Sequence, residues 1–352
     1  MKRVTKVAQF LGILALVVLL NGCKYAQEGP PPVPPPQMTA AKPFPICISP
    51  SGHHDPQISG SIVVWYDDRS GNWDIYAFDL SQNSEFAICI NEAKQEDPAV
   101  SGNVIIWIDH RNGLSSYDIY GYDLSTKREF HITNIRPPTG PWRGPNIDGD
   151  FIVWEDDLKG YWEKYGYDIR GYNLATGTQF PICTNPSHQA CPKVSGDIVV
   201  WTDERNGNGD IYGYNLSTKT EFPICTNEAY QGWADICGNI VVWHDARNGN
   251  YDIYGYDLST GIEFPICTEL HEQAKPLVSG SRVVWLDKRH NWWEEELNYW
   301  FYGYDLSTGT EFPIAGYDAI FSMGLQDFDG DTIAYYEMPG EGSWKIMGLT
   351  LP

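Results

Sequence analysis

The stretch NIVVWHDARNGNYDIYGYDLSTGIEFPIC, residues 239–267, decides the fold, because the chain repeats it with variations. Each copy holds an apolar run that ends in tryptophan, a polar loop, the pattern DIYGYDL and a segment of the type EFPIC. The tryptophans are 42 or 47 residues apart, which is about the length of one four-stranded blade of a β-propeller. They are Trp65, Trp107, Trp154, Trp201, Trp243 and Trp285.

Four strands are predicted in each unit, and we label them a to d from the channel outward. Strand a ends at a Ser-Gly turn, and strand b is the apolar IVVW run, which suits a strand covered on both faces. Strand c is DIYGYDL, whose glycine would permit close approach of a neighbouring backbone. Strand d contains the proline of EFPIC. Because proline cannot donate to a ladder, strand d is predicted to be the outer edge.

A seventh, weaker unit ends the chain and has no strand d. It consists of FDGDTIAYYEM (328–338) and WKIMGLTL (344–351). The segment PFPICIS, residues 43–49, matches the other strands d but has no unit before it. We therefore expect it to pair with residues 345–351 and close the ring. The predicted fold is all-β, a seven-bladed β-propeller over residues 43–352.

The sequence DIYGYDLSTGIEFPICT, after VVWHDARNGN, resembles the propeller repeat of TolB and TolB-like envelope proteins. The resemblance covers residues 43–352 and implies the propeller fold, but a fold does not imply an activity. The chain departs from TolB in two respects, since we expect no α/β domain before the propeller and seven blades instead of six. The partners of TolB are therefore not carried over.

The start of the chain has the features of a lipoprotein signal, predicted to span residues 1–22. Three basic residues precede an apolar run from Val7 to Leu20, which is too short for a membrane-spanning helix. The run ends in Leu-Asn-Gly-Cys, so Cys23 is predicted to carry lipid; an ordinary signal peptide is the alternative. Residues 23–42 form a stiff proline-rich linker. We expect a lipid anchor in the cell envelope, on the outer membrane if the organism has two, facing the periplasm or the surface.

The charge of the chain limits its partners. There are 24 basic and 46 acidic side chains, a net charge of −22, and removal of the three basic residues of the signal would make it −25. Such a chain is repelled by nucleic acid and by anionic lipid headgroups. The predicted partners are the membrane, through the lipid anchor alone, and an envelope protein or a glycan.

Five units place an aspartate two residues after the tryptophan and an arginine four residues after it, and strand c usually opens with a second aspartate. A guanidinium between two carboxylates would fasten the b–c hairpin, and its repetition indicates a structural role. These residues are Asp67, Arg69, Asp74, Asp109, Arg111, Asp118, Asp203, Arg205, Asp210, Asp245, Arg247 and Asp252, with Asp168, Asp287 and Arg289 in less regular units. The loops offer oxygen ligands without the full pattern of a calcium loop. No cofactor is expected, and calcium stays open.

Cysteines and histidines give no recognisable metal or nucleophile signature. Five cysteines share one position of strand d, in blades too far apart for pairing. Cys183–Cys191 and Cys225–Cys237 are conceivable disulfides, although small buried residues are the favoured interpretation. The histidines on d–a connections, at one mouth of the channel, are His53, His54, His188 and His271.

Three long departures from the repeat, residues 134–145, 157–168 and 288–300, should all lie on one face. In an antiparallel blade the b–c and d–a connections emerge on the same side. Aromatic side chains on such loops suit binding by stacking, to sugar rings or to a protein. The alternative is that they cap the channel mouth. The candidate binding residues are Trp73, Trp142, Tyr161, Trp162, Tyr165, Trp233, Trp292, Trp293, Tyr299 and Trp300.

These features favour a binding or protein-interaction module. The alternative is a carbohydrate-active enzyme, a polysaccharide lyase or a glycoside hydrolase, that uses the channel. No catalytic residue is assigned, because nucleophile motifs are lacking and paired carboxylates cannot be selected without geometry. A converging cluster of histidine and glutamine or of carboxylates in the channel, with a bound metal, would favour the enzyme, and a channel sealed by apolar side chains would favour the module.

Overall fold

The computed structural model describes residues 41, 43–113, 117–135, 144–157, 166–289, 299–315, 323–337 and 344–351. Within these residues the chain forms 28 strands in seven antiparallel four-stranded sheets. This part of the chain contains no helix that could cross a membrane. The prediction of a seven-bladed β-propeller is confirmed.

The blades follow one another along the chain, each in the order a, b, c, d. Blade 1 is β2 (His53–Ser59), β3 (Ile62–Asp67), β4 (Asp74–Asp79) and β5 (Ser84–Cys89). Blade 2 is β6 (Gln95–Ser101), β7 (Val104–Asp109), β8 (Tyr117–Asp123) and β9 (Arg128–Ile135), and blade 3 is β10 (Asn146–Asp148), β11 (Phe151–Asp156), β12 (Asp168–Asn173) and β13 (Thr178–Cys183). Blade 4 is β14 (Gln189–Ser195), β15 (Ile198–Asp203), β16 (Asp210–Asn215) and β17 (Thr220–Cys225), and blade 5 is β18 (Gln231–Cys237), β19 (Ile240–Asp245), β20 (Asp252–Asp257) and β21 (Ile262–Cys267). Blade 6 is β22 (Gln273–Ser279), β23 (Arg282–Asp287), β24 (Trp300–Asp305) and β25 (Thr310–Ala315), and blade 7 is β26 (Met323–Asp329), β27 (Thr332–Glu337), β28 (Lys345–Thr350) and β1 (Pro43–Cys47).

The hydrophobic core lies between the blades. The cluster around Trp107, for example, joins Val64 and Ile75 of blade 1 to Ile105 of blade 2. All of these side chains are fully buried. Strand b is therefore apolar on both faces because each face meets a neighbouring blade.

The glycine of strand c accommodates a ring, and not a neighbouring backbone as the sequence analysis expected. A Cβ atom built on Gly213 would lie 2.6 Å from the ring of Phe222 on strand d. Five other blades repeat this packing with their own glycine and phenylalanine. The last of them uses Gly348 on β28 and Phe44 on β1, so the closing strand carries the same side-chain contact as the other strands d.

Closure of the ring takes place as predicted. β1 pairs antiparallel with β28, with Pro43 opposite Leu349 and Phe44 opposite Gly348. The strand ends at Cys47, two residues earlier than the segment quoted from the sequence. The last blade therefore combines the two ends of the propeller domain.

The Ser-Gly turn after strand a fastens each blade to the next. The Ser101 hydroxyl accepts a hydrogen bond of 3.0 Å from the Gly149 amide. At the closing junction, the Asp329 carboxylate accepts one of 2.6 Å from the Gly60 amide. The same bond occurs at all seven junctions, and the other pairs are Ser59–Gly102, Asp148–Gly196, Ser195–Gly238, Cys237–Gly280 and Ser279–Gly330.

Candidate functional site: the channel and its mouth

A cavity of about 280 Å³ lies on the axis of the propeller and receives residues from all seven strands a. Two positions of strand a supply its charged and aromatic lining residues, and the residue between them lines it in six blades. The b–c and d–a connections emerge on one face of the propeller, which we call the loop face. The position nearer that face, which we call the upper ring, consists of Asp55, Asp97, Gly144, Cys191, Trp233, Lys275 and Leu325. The position two residues later, which we call the lower ring, consists of Gln57, Ala99, Asn146, Lys193, Asp235, Leu277 and Asp327. At this second position, Ala99 and Asp327 are not among the lining residues.

The two rings do not follow the repeat, whereas the neighbouring positions do. The residue after the lower ring is valine or isoleucine in six blades, and a glycine follows two residues later in all seven. The ring positions carry acidic, basic, amide, aromatic and aliphatic side chains with no period. Since the scaffold is the same in each blade, its packing does not require these differences.

The backbone of the upper ring is unusual as well. Five of its non-glycine residues have positive φ values between 46° and 55°, a region that costs about 1–2 kcal/mol for a side chain with a Cβ atom. Each coincides with a β-bulge in the pairing of strand a with strand b. These residues are Asp55, Asp97, Cys191, Trp233 and Lys275. Strained backbone concentrates at ligand sites more than elsewhere.

The cavity is polar and charged. Asp55, Asp97 and Asp235 line it together with Lys193 and Lys275. Among the described residues the channel is therefore not sealed by apolar side chains, and it contains carboxylates. The described residues thus lack the apolar seal that would favour a module, and they contain the carboxylates that are one part of the cluster that would favour an enzyme.

Asp327 of the lower ring accepts a hydrogen bond of 2.8 Å from the Ile58 amide of the next blade. Burial raises the pKa of Asp327 to about 6, although the charge of Lys193 and the bond from Ile58 oppose the rise, and the negative charge of Asp235 adds to it. Burial also raises the pKa of Asp235. These two carboxylates therefore take up protons more readily than exposed aspartates.

An aromatic cluster stands at the mouth beside the upper ring. The ring centroids of His54 and Tyr66 are 5.2 Å apart, and those of Tyr66 and Trp73 are 5.0 Å apart. Trp344 lies 6.4 Å from His54. The Tyr66 hydroxyl donates to the Asp55 carboxylate at 3.1 Å. This cluster, which we call the mouth cluster, therefore continues into the cavity.

His244 belongs to a second aromatic group, in blade 5. Its ring stacks on Tyr251 at 4.4 Å, and Trp233 of the upper ring lies 6.4 Å away. Burial lowers the pKa of His244 to about 4. Neither ring nitrogen has a hydrogen-bond partner among the described residues. His244 is therefore a neutral, buried base close to the channel.

Four of the candidate binding residues lie among the described residues. Trp73 belongs to the mouth cluster, and Trp233 lines the cavity. Tyr299 is half-buried, with the Lys288 ammonium 4.7 Å from its ring centroid, and Trp300 begins β24 and packs against the core. The other six lie outside the described residues: Trp142, Tyr161, Trp162, Tyr165, Trp292 and Trp293. Each insertion follows the end of a strand b or d and precedes the start of a strand c or a. In the antiparallel blades these strand ends lie on the face where strands a begin.

The repeated arginines bind one of their two expected carboxylates, and the other is different. Arg205 donates to both oxygens of Asp203, at 2.9 and 2.6 Å, and to Glu221 of strand d at 2.5 Å. It also contacts the Cys183 sulfur of the preceding blade at 3.2 Å. The second carboxylate is therefore the strand-d glutamate and not the strand-c aspartate. Asp210 on strand c instead accepts a bond of 2.6 Å from Asn206.

The same contacts recur with Arg69, Arg111, Arg247 and Arg289. The loops that had left calcium open make hydrogen bonds of their own. Asn248 and Asn250 both donate to the Asp252 carboxylate. No disulfide joins any of the seven cysteines of the described residues, so the conceivable pairs Cys183–Cys191 and Cys225–Cys237 are not formed. No histidine lines the cavity within the described part of the chain.

No protein-family model matches the chain, and no curated protein matches it in sequence. Solved structures do match. An oligogalacturonate lyase from Vibrio parahaemolyticus has a TM-score of 0.65 at 14% identity, over 89% of this chain and 94% of the lyase. The β-propeller domain of the Trilobed protease from Pyrococcus furiosus has a TM-score of 0.64 at 15% identity, over 87% of this chain and 94% of that domain. TolB from Acinetobacter baumannii has a TM-score of 0.46 at 15% identity, over 85% of this chain and 78% of TolB.

The shared feature is the fold. At 15% identity or less, these likenesses carry no activity to this chain, and the TolB score is too low to support an argument of its own. The Pyrococcus domain is described as having an open velcro topology, whereas here β1 closes the ring.

Sequence reasoning named Trp233 of the upper ring and His54 and Trp73 of the mouth cluster, and it missed the other ring residues, His244 and the rest of the mouth cluster. The signal was available, because an alignment of the seven units position by position shows where the repeat is not kept.

Proposed function

We propose that this chain is a lipid-anchored protein of the cell envelope that binds a glycan on the loop face, over the mouth of the channel. The carrying observation is that the charged and aromatic residues lining the cavity stand at the positions that break the repeat. Aromatic side chains next to carboxylates and amides suit a sugar, whose ring stacks while its hydroxyls need hydrogen bonds. Trp73 and Asp55 offer this combination at the mouth.

The ligand we propose is uncharged or cationic. The chain has a net charge of −22, and carboxylates outnumber ammonium groups around the cavity. Because such a field repels anions, a polyanionic oligogalacturonate is a poor match. The likeness to the Vibrio lyase therefore does not extend to its substrate in this proposal.

A glycan array probed with the full chain tests the proposal. We expect binding to neutral or amino-sugar glycans, weakened about tenfold or more by Asp55→Asn and by Trp73→Ala, a loss equal to about 1.4 kcal/mol or more of binding energy. The matched control is Asp150→Asn, an exposed aspartate on the opposite face, which should bind as the unaltered chain does. Binding of polyanionic glycans alone, or of an envelope protein and no glycan in a cross-linking experiment, would contradict the proposal.

The alternative, a carbohydrate-active enzyme, is favoured by one observation. A carboxyl group with a pKa near 6, such as that of Asp327 beside Asp235 and Lys193, can serve in general acid–base catalysis near neutral pH. The test is to incubate a bound glycan with the chain and measure new reducing ends. Products that vanish with Asp327→Asn while binding remains would establish the enzyme, and an intact glycan would leave the binding module.

A further inference from the structure

The first residue of strand a differs in blade 1 from its counterparts. Four other blades carry glutamine there, at Gln95, Gln189, Gln231 and Gln273, and blade 1 carries His53. All five side chains are fully buried. In each of these blades a cysteine of the preceding strand d lies six residues earlier in the sequence. In blade 1 an imidazole therefore stands where the other four blades have an amide, and it contacts the cysteine sulfur.

His53 reproduces the hydrogen bond of the glutamines. Gln231 donates through Nε2 to the carbonyl oxygen of Ala229 at 2.6 Å, and His53 Nδ1 lies 2.7 Å from the carbonyl oxygen of Ser51. A carbonyl oxygen can only accept, so Nδ1 carries the proton. Nε2 then has a lone pair, and it lies 2.9 Å from the Cys47 sulfur. A histidine fixed in this way by a backbone carbonyl is the usual state of a metal-ligating histidine.

Asp67 completes a group of three. The ligand atoms of Cys47, His53 and Asp67 all lie within 4.8 Å of one another, and the three residues are at most 3% exposed. No other group of this kind occurs among the described residues. Cys47 is on the closing strand of blade 7, and the other two residues are in blade 1.

We propose that Cys47, His53 and Asp67 bind one thiophilic divalent cation, best matched by Zn²⁺, at the seam where the closing strand meets blade 1. Thiolate, imidazole and carboxylate are the ligands that zinc takes in proteins. In a tetrahedral zinc site the sulfur and nitrogen ligands lie about 3.5 Å apart, so these two atoms separate by roughly half an ångström on binding. The site goes beyond the proposed glycan binding and does not depend on it.

Arg69 has to give up one contact when the cation binds. Its NH2 group contacts the Cys47 sulfur at 3.0 Å and also bonds Asp67. The guanidinium keeps its Nε bond to Asp67 at 2.9 Å, its bond to Glu85 and its position over the Tyr76 ring at 4.1 Å. The thiol proton leaves to solvent, and the charges then balance. Three positive charges from the cation and Arg69 face three negative charges from Cys47, Asp67 and Glu85.

The test measures metal stoichiometry on the full chain after chelation, reduction and removal of the chelator. Titration with Co²⁺ should show a near-ultraviolet absorption band from thiolate ligation that saturates at one ion per chain, and Zn²⁺ should displace it. His53→Gln, which installs the residue of the other blades, should lower the stoichiometry from one to zero without loss of folding. Cys89→Ser, at the equivalent cysteine of a blade that carries glutamine instead of histidine, should leave it at one.

A gain-of-site variant gives an independent check. Gln95→His places an imidazole beside Cys89 and Asp109 in the geometry of blade 1, and should raise the stoichiometry from one to two. Zn²⁺ should also raise the melting temperature of the unaltered chain but not that of His53→Gln. The proposal is overturned if the unaltered chain shows no thiolate band, or if His53→Gln binds Co²⁺ with the same band and stoichiometry.

Discussion

Asp203 illustrates how one side chain holds several parts of a blade. It accepts hydrogen bonds from the Trp201 indole at 2.9 Å and from the Arg205 backbone and side chain. Burial alone would raise the pKa of Asp203, but the bonds from Arg205 and Trp201 lower it below its ordinary value. The spacing of tryptophan, aspartate and arginine in the repeat follows from this geometry.

Asp203→Ala should lower the free energy of unfolding by about 3 kcal/mol or more, because it leaves buried donors without their acceptor. Chemical denaturation at neutral pH measures this change. Asp150→Asn on the exposed turn should change stability by less than about 0.5 kcal/mol. A similar small effect at both positions would show that Asp203 is not a structural anchor.

His244 should make the fold sensitive to mild acid. Its pKa is lowered to about 4 in the folded chain, against about 6.5 in the unfolded chain. Above pH 6.5 both states are neutral and His244 has no effect. As the pH falls from 6.5 toward 4, the unfolded state binds the proton first and stability is lost, by about 2 kcal/mol at pH 5.

Denaturation at pH 7 and pH 5 measures this loss, which should shrink by about 2 kcal/mol in His244→Phe. The control is His271→Ala, since His271 is exposed. Between pH 7 and pH 5 its free energy of unfolding should fall by as much as that of the unaltered chain. An equal loss in His244→Phe would assign the pH dependence to other groups.

At the scale of the strand, β1 and strand a show two uses of the same repeat. β1 repeats the side chains of the other strands d, down to Phe44 over Gly348, and so closes the ring. Strand a keeps the turn glycine and its hydrogen bond to the preceding blade, although aspartate or cysteine replaces the serine in three blades, and it varies most at the two ring positions. Conserved contacts thus hold the ring while varied positions shape the cavity.

A chain that begins at Ser51 lacks β1 and should lose several kcal/mol of stability, on the order of the burial of Phe44 and Ile46 plus a ladder of hydrogen bonds. The exposed edge of β28 should also promote aggregation. Thermal unfolding and light scattering measure the two effects. A chain that begins at Met38 keeps β1 and should melt like the full chain; equal melting of all three would argue against closure as a source of stability.

For the whole molecule, the loop face is where binding is proposed. Trp292 and Trp293 belong to an insertion that lies outside the described residues. Replacing both by alanine should weaken glycan binding while barely moving the melting temperature, because loop tips contribute little to the blade core. A large fall in melting temperature would instead make these tryptophans part of the core and remove support for the binding face.

The lipid anchor is a second prediction at this scale, and Cys23 also lies outside the described residues. Cys23→Ser, expressed in a bacterial host that processes lipoproteins, should move the protein from the detergent phase to the aqueous phase of a two-phase separation. A serine change at Cys237, within the propeller, should leave it in the detergent phase. Unchanged partitioning of Cys23→Ser would remove the lipoprotein claim.

The repeat made the blade count, the strand order and the closing role of residues 43–47 predictable, because these depend on local patterns that recur along the chain. The prediction that a neighbouring backbone packs on the strand-c glycine was wrong. A glycine indicates that another group approaches closely, but it does not identify that group. The second carboxylate that binds Arg205 was also predicted wrongly. Asp210 is nearer in sequence, but Glu221 is brought opposite by the pairing of strands c and d.

The sequence by itself therefore determined the propeller, because apolar periodicity, turn residues and an edge proline act within about 45 residues of one another. Only the tertiary structure decided which residues share the channel and which share the seam. The upper and lower rings collect one residue each from seven blades that span 55–327, and Cys47 meets Asp67 across a blade boundary. Closure of the ring sets these distances, and no local pattern in the chain records them.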